Sequence, residues 1–264
     1  MTTSLDPLWT SEASRYMQFS FPRGTERPNL APKWALLQVR VRRRIGEGGF
    51  AFVYAVEQSD DGRPMALKRL LAADAEKRKQ TVQEITFLKK LKPCPRIMQY
   101  IAAANLPAGR GLSATKCEEF LLLTELCVAS LYNYLSSRAQ PFPPKTVAQI
   151  FFQTLDAVAY LHRQSPPIVH RDLKCENLLV DTAGGVKLCD LGSATTNTYA
   201  PDAGWNMARR TAMEEELQKY TTPMYRSPEM VDIWSNYPVG CPGDVWALGC
   251  VVLTISLTSE IKVN

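Results

Sequence analysis

The stretch that decides the fold reads Ile168-Val-His170-Arg171-Asp172-Leu-Lys174-Cys-Glu-Asn177-Leu-Leu179. A second stretch, Leu188-Cys-Asp190-Leu-Gly192, follows after two short apolar runs that flank the turn Asp181-Thr-Ala-Gly-Gly185. Apolar runs on both sides of such a turn predict a β-hairpin. Because a hairpin returns the chain, we expect Asp172, Asn177 and Asp190 to converge.

These three side chains suit a magnesium ion that carries phosphate groups. Carboxylate and amide oxygens are the hard ligands that Mg²⁺ prefers. A carboxylate that stays off the metal can accept a proton from a hydroxyl group, and Lys174 adds positive charge where a phosphoryl group moves. The string and its spacing are too specific for a chance pattern, so they indicate a phosphate-handling site.

A glycine-rich stretch at 46–53 reads Gly-Glu-Gly-Gly-Phe-Ala-Phe-Val. Alternating apolar and polar residues before and after the glycines predict two strands, so the glycines lie in a β-turn. Small residues there let backbone N–H groups approach phosphates closely. A dinucleotide-binding enzyme would need a helix after the glycines, so that class is nearly excluded. Taken alone, the glycines are equally typical of an ordinary hairpin turn.

Lys68 lies inside an apolar strand predicted at 65–70. A lysine in such a strand is costly unless its charge is paired. Apolar residues at helical spacing predict a helix at 74–91, and this helix carries Glu84, the predicted partner. The alternative is that both residues are ordinary surface charges.

The composition is that of a globular protein, with 264 residues, 45% hydrophobic and 22% charged. The net charge of +5 is too small to indicate nucleic acid binding. The seven cysteines form no Cys-x-x-Cys pair, which argues against a zinc site or disulfide framework and favours a reducing compartment. The N-terminus does not resemble a signal peptide, and the longest apolar run, 245–257, is shorter than the roughly 20 residues that span a bilayer. We therefore expect a soluble cytoplasmic protein.

The order of the predicted elements indicates two units. Residues 1–35 are polar and contain several prolines, and we expect them to form a flexible leader. Strands and one helix fill the part up to about residue 126, whereas helices at 145–163 and 244–258 dominate the rest. The expected fold class is α+β, with a small β-rich unit joined to an α-rich unit and a ligand cleft between them.

Taken together, the motifs resemble the signatures of protein kinases from about residue 40 to about residue 252. The match also includes Ser227-Pro228-Glu229 and Asp244-Val-Trp-Ala-Leu-Gly249. Finer features are similar to the numb-associated kinase family, namely 47–53, 121–127, 192–195, 220–226 and the Glu-rich segment before Glu229. The resemblance implies a bilobal kinase domain over 36–264, with an N-lobe at about 36–126 and a C-lobe at about 127–264.

The resemblance also implies roles for individual residues. Asp172 would orient and deprotonate a substrate hydroxyl, assisted by Lys174. Asn177 and Asp190 would hold Mg²⁺, and Lys68, paired with Glu84, would bind the α- and β-phosphates of ATP. Lys174 together with Thr222 is similar to the arrangement in serine/threonine kinases rather than tyrosine kinases.

The remaining implied residues would surround ATP. Glu125 and Cys127 would offer backbone hydrogen bonds to adenine, and Thr124 would gate the pocket behind the base. The glycine-rich loop over the phosphates and the apolar residues around the base complete the set: Gly46, Glu47, Gly48, Gly49, Phe50, Ala51, Val53, Ala66 and Leu179.

The implied function is transfer of the γ-phosphoryl group of ATP, with Mg²⁺, to serine or threonine of protein substrates. The family further implies clathrin-linked vesicle traffic, with clathrin adaptor complexes as partners. The implied location is the cytoplasm, with at most peripheral association with vesicles or perinuclear membranes.

A kinase domain normally continues with several helices after the one predicted at 244–258. We therefore expect an incomplete C-lobe, in which this nearly all-apolar helix leaves one face bare to water. The alternative function is then an ATP-binding but inactive fragment that acts as a scaffold or decoy.

Overall fold

The structure, a computed structural model, describes residues 18–22, 36–48, 51–106, 117–138 and 140–257. The chain divides into two compact units, Met1–Lys90 with Met98–Leu126, and Leu91–Ile97 with Cys127–Asn264. The first unit is built mainly of strands and the second mainly of helices, which confirms the α+β class.

The first unit is a six-stranded sheet with one long helix. Its elements are β1 (Gln18–Pro22), β2 (Leu36–Gly48), β3 (Ala51–Gln58), β4 (Pro64–Ala72), α1 (Ala75–Leu91), β5 (Tyr100–Leu106) and β6 (Glu118–Glu125). The strand order is β1-β2-β3-β4-β6-β5, and every neighbouring pair is antiparallel. The predicted strands at the glycine-rich stretch and around Lys68, and the predicted helix with Glu84, are all present.

The expectation of a leader without regular structure is wrong for Gln18–Pro22. This segment forms β1 and pairs with Leu36–Arg40 of β2. Without β1, the strand β2 would be at the edge of the sheet and would present unpaired backbone N–H and C=O groups, and a preceding segment of chain can satisfy them whatever its overall polarity. The rest of the predicted leader lies outside the described residues.

The segment 91–97, which was expected in the first unit, belongs to the second. Leu188 donates its backbone N–H to the carbonyl of Arg96 at 2.8 Å, and Ile97 pairs with Leu188 in a parallel bridge. These backbone hydrogen bonds hold the segment against the β-hairpin at 178–188, and they cannot be deduced from the local sequence.

One face of the sheet carries the core of the first unit. Buried residues alternate along the strands, as expected for side chains that point to opposite faces in turn. They include Val39, Val41, Tyr54, Val56, Met65, Leu67, Leu121 and Leu123. Since Leu67 faces this core, its neighbours Ala66 and Lys68 lie on the opposite face, where Lys68 contacts Glu84 of α1.

A buried ion pair joins β4 to β6 in this sheet. Arg69 donates through Nε and Nη2 to the two carboxylate oxygens of Glu119 at 2.8 and 2.9 Å. The side chains are 2% and 0% exposed. A bidentate pair removed from water is costly to break, because the remaining charge has already lost its hydration.

The second unit is mainly helical. Its elements are β7 (Ala129–Ser130), α2 (Leu131–Ser136), α3 (Pro144–His162), β8 (Leu178–Val180), β9 (Val186–Leu188), α4 (Met207–Tyr220), α5 (Pro228–Val231) and α6 (Cys241–Leu257). The helices α3 and α6 pack against each other, and the predicted hairpin is present as β8 and β9. Neither α4 nor β5 was predicted.

The long apolar helix α6 is buried along one side only. Ala247, Leu248, Val251 and Ile255 face the interior, whereas Val245, Trp246 and Leu253 are exposed. Among the helices that the structure describes, none has both the length and the apolar character required to span a bilayer.

We predict that Arg69→Met lowers the free energy of unfolding by about 3–5 kcal/mol, because Glu119 then stays buried without its arginine. The double variant Arg69→Met/Glu119→Leu should recover most of this loss, since no charge remains to be buried. Urea denaturation measures both effects. The matched control is Arg42→Met, whose partner Glu57 is accessible to solvent, and it should cost less than about 1 kcal/mol. Equal losses in Arg69→Met and Arg42→Met would contradict the prediction.

Candidate active site

The carboxylate of Asp172 lies at the centre of a cluster of polar groups in the second unit. Thr222 donates its hydroxyl to Asp172 Oδ1 at 2.5 Å, and Lys174 Nζ lies 2.8 Å from Asp172 Oδ2. Lys174 also donates to the Thr222 hydroxyl oxygen at 2.9 Å. The three side chains hold one another, and the acidic group remains partly open to solvent, with 16% of its side chain exposed.

Asn177 is oriented by the same aspartate. Its Nδ2 donates to the Asp172 carbonyl at 2.8 Å and lies 3.2 Å from Asp172 Oδ2. Both of these partners can only accept hydrogen bonds, so the amide nitrogen must face them. The carbonyl oxygen Oδ1 is therefore the atom of Asn177 that can act as a metal ligand.

The hairpin β8–β9 returns the chain to Asn177 just before Asp190. The backbone N–H of Cys189 donates to the carbonyl of Asn177 at 2.9 Å, which places the residue before Asp190 beside Asn177. Asp190 itself has φ 57°, a left-handed conformation that aspartate tolerates better than most residues. The β8–β9 pairing thus returns the backbone to Asn177 just before Asp190, and the convergence of the three side chains stays a prediction.

The cysteine inside the catalytic stretch is not a nucleophile. Cys175 is buried, and this burial raises its pKa to about 12. Because the thiolate is the reactive form, Cys175 stays an unreactive thiol at physiological pH.

His170 connects the backbone at Asp172 to the segment that carries Asp190. Its Nε2 lies 3.0 Å from the Cys189 carbonyl, and its Nδ1 accepts the backbone N–H of Asp172 at 3.2 Å. Since a carbonyl only accepts, the ring proton is on Nε2. This imidazole is fully buried, so it acts as a structural link within the site.

Asp244 anchors the loop from α6. Its carboxylate accepts the backbone N–H groups of His170 and Arg171 at 2.8 and 2.9 Å, and His162 Nε2 at 2.8 Å. Asp244 belongs to the sequence motif 244–249, from which no role was predicted for it. The signal was present, because a lone carboxylate in an otherwise apolar helix must find hydrogen-bond donors when it is buried.

In the first unit, the predicted pair of Lys68 and Glu84 is formed. Lys68 Nζ donates to Glu84 Oε1 at 2.7 Å, from β4 to α1. Glu84 is 5% exposed and Lys68 is 21% exposed. The lysine therefore keeps a partly open ammonium group whose position is set by a buried carboxylate.

The glycine-rich stretch joins β2 to β3. Gly46 pairs with Val53, Glu47 with Phe52, and Gly48 with Ala51. The Glu47 carboxylate binds Arg44 at 2.8 Å. The predicted phosphate contacts Gly49 and Phe50 lie outside the described residues.

The residues predicted around adenine are distributed over both units. In the first unit, Ala66 of β4 lies opposite the buried Thr124 of β6. Glu125 donates its backbone N–H to the Gln99 carbonyl at 3.1 Å. The carbonyl of Glu125 is therefore the backbone group that would bind adenine. In the second unit, Cys127 and Leu179 are both partly exposed.

Comparison of the sequence with known proteins identifies the family to which the chain belongs. The chain matches the family model described as protein kinase domain over residues 39–262. The chain belongs to the protein kinase family. Within this kinase domain, Asp172, Asn177 and Asp190 fall in the stretches that carry the family's catalytic and metal-binding motifs.

The proteins that this kinase domain is similar to include three from two organisms. A probable serine/threonine-protein kinase of Dictyostelium discoideum is 35% identical over 219 residues, 80% of this chain and 18% of that protein. A second one from the same organism is 33% identical over 216 residues, 80% of this chain and 26% of that protein. The serine/threonine-protein kinase sel-5 of Caenorhabditis elegans is 33% identical over 221 residues, 81% of this chain and 20% of that protein. The chain therefore spans about a fifth to a quarter of the length of these relatives.

We predict that Asp244→Asn lowers the free energy of unfolding by roughly 3 kcal/mol, because the amide nitrogen would face donors and leave at least one buried N–H unsatisfied. Urea denaturation measures the change. The control is Asp156→Asn, an exposed aspartate on α3, which should leave stability nearly unchanged. If Asp244→Asn were as stable as the control, the proposed anchoring of the loop would be wrong.

Proposed function

We propose that this chain is a protein serine/threonine kinase, which transfers the γ-phosphoryl group of ATP to hydroxyl groups of protein substrates. The observation that carries the proposal is the cluster around Asp172, in which Lys174, Thr222 and Asn177 all contact one carboxylate. The names of the serine/threonine kinase relatives support the same activity.

In this proposal Asp172 accepts the proton of the attacking hydroxyl. Lys174 and Thr222 hold its carboxylate in one orientation, so no rotation is needed when the substrate binds. The ammonium group of Lys174 also offsets negative charge near the transferred phosphoryl group.

The residues of the chain also fit the two cofactors. Asn177 Oδ1 and the Asp190 carboxylate are hard oxygen ligands of the kind that hold Mg²⁺. A bound magnesium ion would neutralise phosphate charge during transfer. Lys68, fixed by Glu84, would bind the α- and β-phosphates of ATP, and the strands around the glycine-rich stretch would cover the phosphates.

We predict that Asp172→Asn lowers kcat for phosphoryl transfer by at least about a hundredfold, because an amide cannot accept the hydroxyl proton. The asparagine keeps the size of the side chain, so binding of MgATP should change little. Transfer from γ-labelled ATP to a general serine- and threonine-containing protein measures the rate, and a thermal shift with MgATP measures binding.

The control is again Asp156→Asn, which should transfer phosphate at the wild-type rate. Equal label incorporation by wild type and Asp172→Asn would contradict the kinase proposal. Binding of MgATP by the wild-type protein without any transfer would favour the alternative, an ATP-binding scaffold or decoy.

We further propose membership of the numb-associated kinase family, in which the sequence resembles cyclin-G-associated kinase. The glycine-rich stretch with Ala51 and the segment 220–226 support this assignment. A protein of this family would act in the cytoplasm or at the surface of vesicles or perinuclear membranes, in clathrin-linked traffic, with adaptor complexes as substrates.

We predict that the active protein phosphorylates purified clathrin adaptor complex with a higher kcat/KM than a general protein substrate. The reason is that a dedicated substrate supplies binding energy beyond its reacting hydroxyl. Radiolabel transfer at several substrate concentrations gives both values. Adaptor complex that stays unmodified by a protein active on the general substrate would rule out this role and leave the kinase activity intact.

A further inference from the structure

Arg171, in the catalytic stretch, has a carboxylate partner far along the chain. Its Nη1 donates to Glu216 Oε1 at 2.5 Å, and its Nε donates to the Ser193 carbonyl at 2.6 Å. The Tyr220 ring covers the guanidinium group, whose central carbon lies 4.6 Å from the ring centroid. The arginine side chain is 8% exposed, so these contacts replace most of the water around its charge.

Glu216 is itself held in place from a second direction. Tyr199 donates its hydroxyl to Glu216 Oε2 at 2.5 Å. Burial and the neighbouring Glu216 raise the pKa of Tyr199 to about 12, so the hydroxyl remains a donor at physiological pH. The helix that carries Glu216 is fixed by its buried residues Met213 and Leu217. Both carboxylate oxygens therefore have defined partners.

The contacts of Arg171 with Glu216, together with the Tyr199 hydroxyl on Glu216, form a clamp. The backbone conformation of Arg171 explains why this clamp matters. Its φ of 68° lies in the left-handed region, which is strained for a residue other than glycine and persists only where surrounding contacts impose it. Asp244 holds the N–H of this residue, and Glu216 and the Ser193 carbonyl hold its side chain. Asp172 is the next residue, so any relaxation at Arg171 would move the catalytic carboxylate.

We propose that Glu216 is a positioning residue for phosphoryl transfer, which acts through Arg171 to fix the orientation of Asp172 and the course of the chain at 193–199. This role deepens the proposed kinase function and rests on it. It assigns a role to the Glu-rich helix α4.

The first test is Glu216→Gln, which keeps the shape of the side chain and removes its charge. We expect kcat to fall by about tenfold or more, because small displacements of a catalytic group are costly in rate. The KM for ATP should change by less than about twofold, since the Lys68 site is untouched. The matched control is Glu215→Gln, the exposed neighbour on the same helix, which should behave as wild type. Unchanged kcat in Glu216→Gln, or an equal loss in both variants, would overturn the proposal.

A double-mutant cycle separates positioning from a general effect on α4. If Glu216 acts through Arg171, the double variant Arg171→Gln/Glu216→Gln should be no slower than Arg171→Gln alone. Additive losses would overturn the proposal. If Arg171→Gln does not fold, Tyr199→Phe replaces it in the cycle, because it removes only the hydroxyl that orients Glu216. Tyr199→Phe should then lower kcat in wild type and have no further effect in Glu216→Gln.

Hydrogen exchange distinguishes this proposal from the kinase proposal, because it needs no turnover. The backbone N–H groups of Thr195 and Tyr199 are bonded to the Val169 and Val239 carbonyls and should be protected. In Glu216→Gln, exchange in 193–199 should be faster than in wild type and in Glu215→Gln. Equal exchange in all three proteins would overturn the clamp even if wild type transfers phosphate. Faster exchange in Glu216→Gln alone would support the structural clamp. If wild type then transferred no phosphate, only the kinase function would be overturned.

Discussion

The backbone geometry at 170–172 depends on one buried carboxylate, that of Asp244. It accepts two consecutive backbone N–H groups, from His170 and Arg171, and also contacts the His162 ring. Hydrogen bonds to a charged acceptor contribute about 1.5–3 kcal/mol each, more than those between neutral groups. Because Asp244 lies on α6 and His162 on α3, the two longest helices of the second unit jointly fix where the loop begins.

From this anchor the positions of the chemical groups follow in sequence. The held backbone at Arg171 turns the chain so that the N–H of Asp172 meets His170 Nδ1. The other ring nitrogen of His170 contacts the Cys189 carbonyl, and Cys189 donates to Asn177. Asp172 and Asn177 therefore lie on a network of hydrogen bonds that exists before any substrate binds, which is the kind of arrangement that the proposed catalysis requires.

Local chemistry explains which parts of this protein could be predicted. Asp181-Thr-Ala-Gly-Gly185 is a turn by its own residues, so the β8–β9 hairpin and the return of the chain towards Asn177 could be predicted. The partner of Lys68 could be named because a lysine in an apolar strand needs a charge and α1 offers Glu84. By contrast, β5 is a short alanine-rich strand and α4 is a charged helix with few apolar positions, so neither has a strong periodic pattern.

The sequence by itself determined the fold class and the protein kinase family, because these depend on residue types at short spacings. Tertiary structure alone decided that Gln18–Pro22 extends the sheet, that 91–97 joins the second unit, and that Glu216 meets Arg171. Each of these features joins groups that are far apart in the chain through backbone hydrogen bonds or a single ion pair. Such contacts leave no local pattern, since any exposed strand edge or any buried charge accepts a partner from wherever the fold brings one.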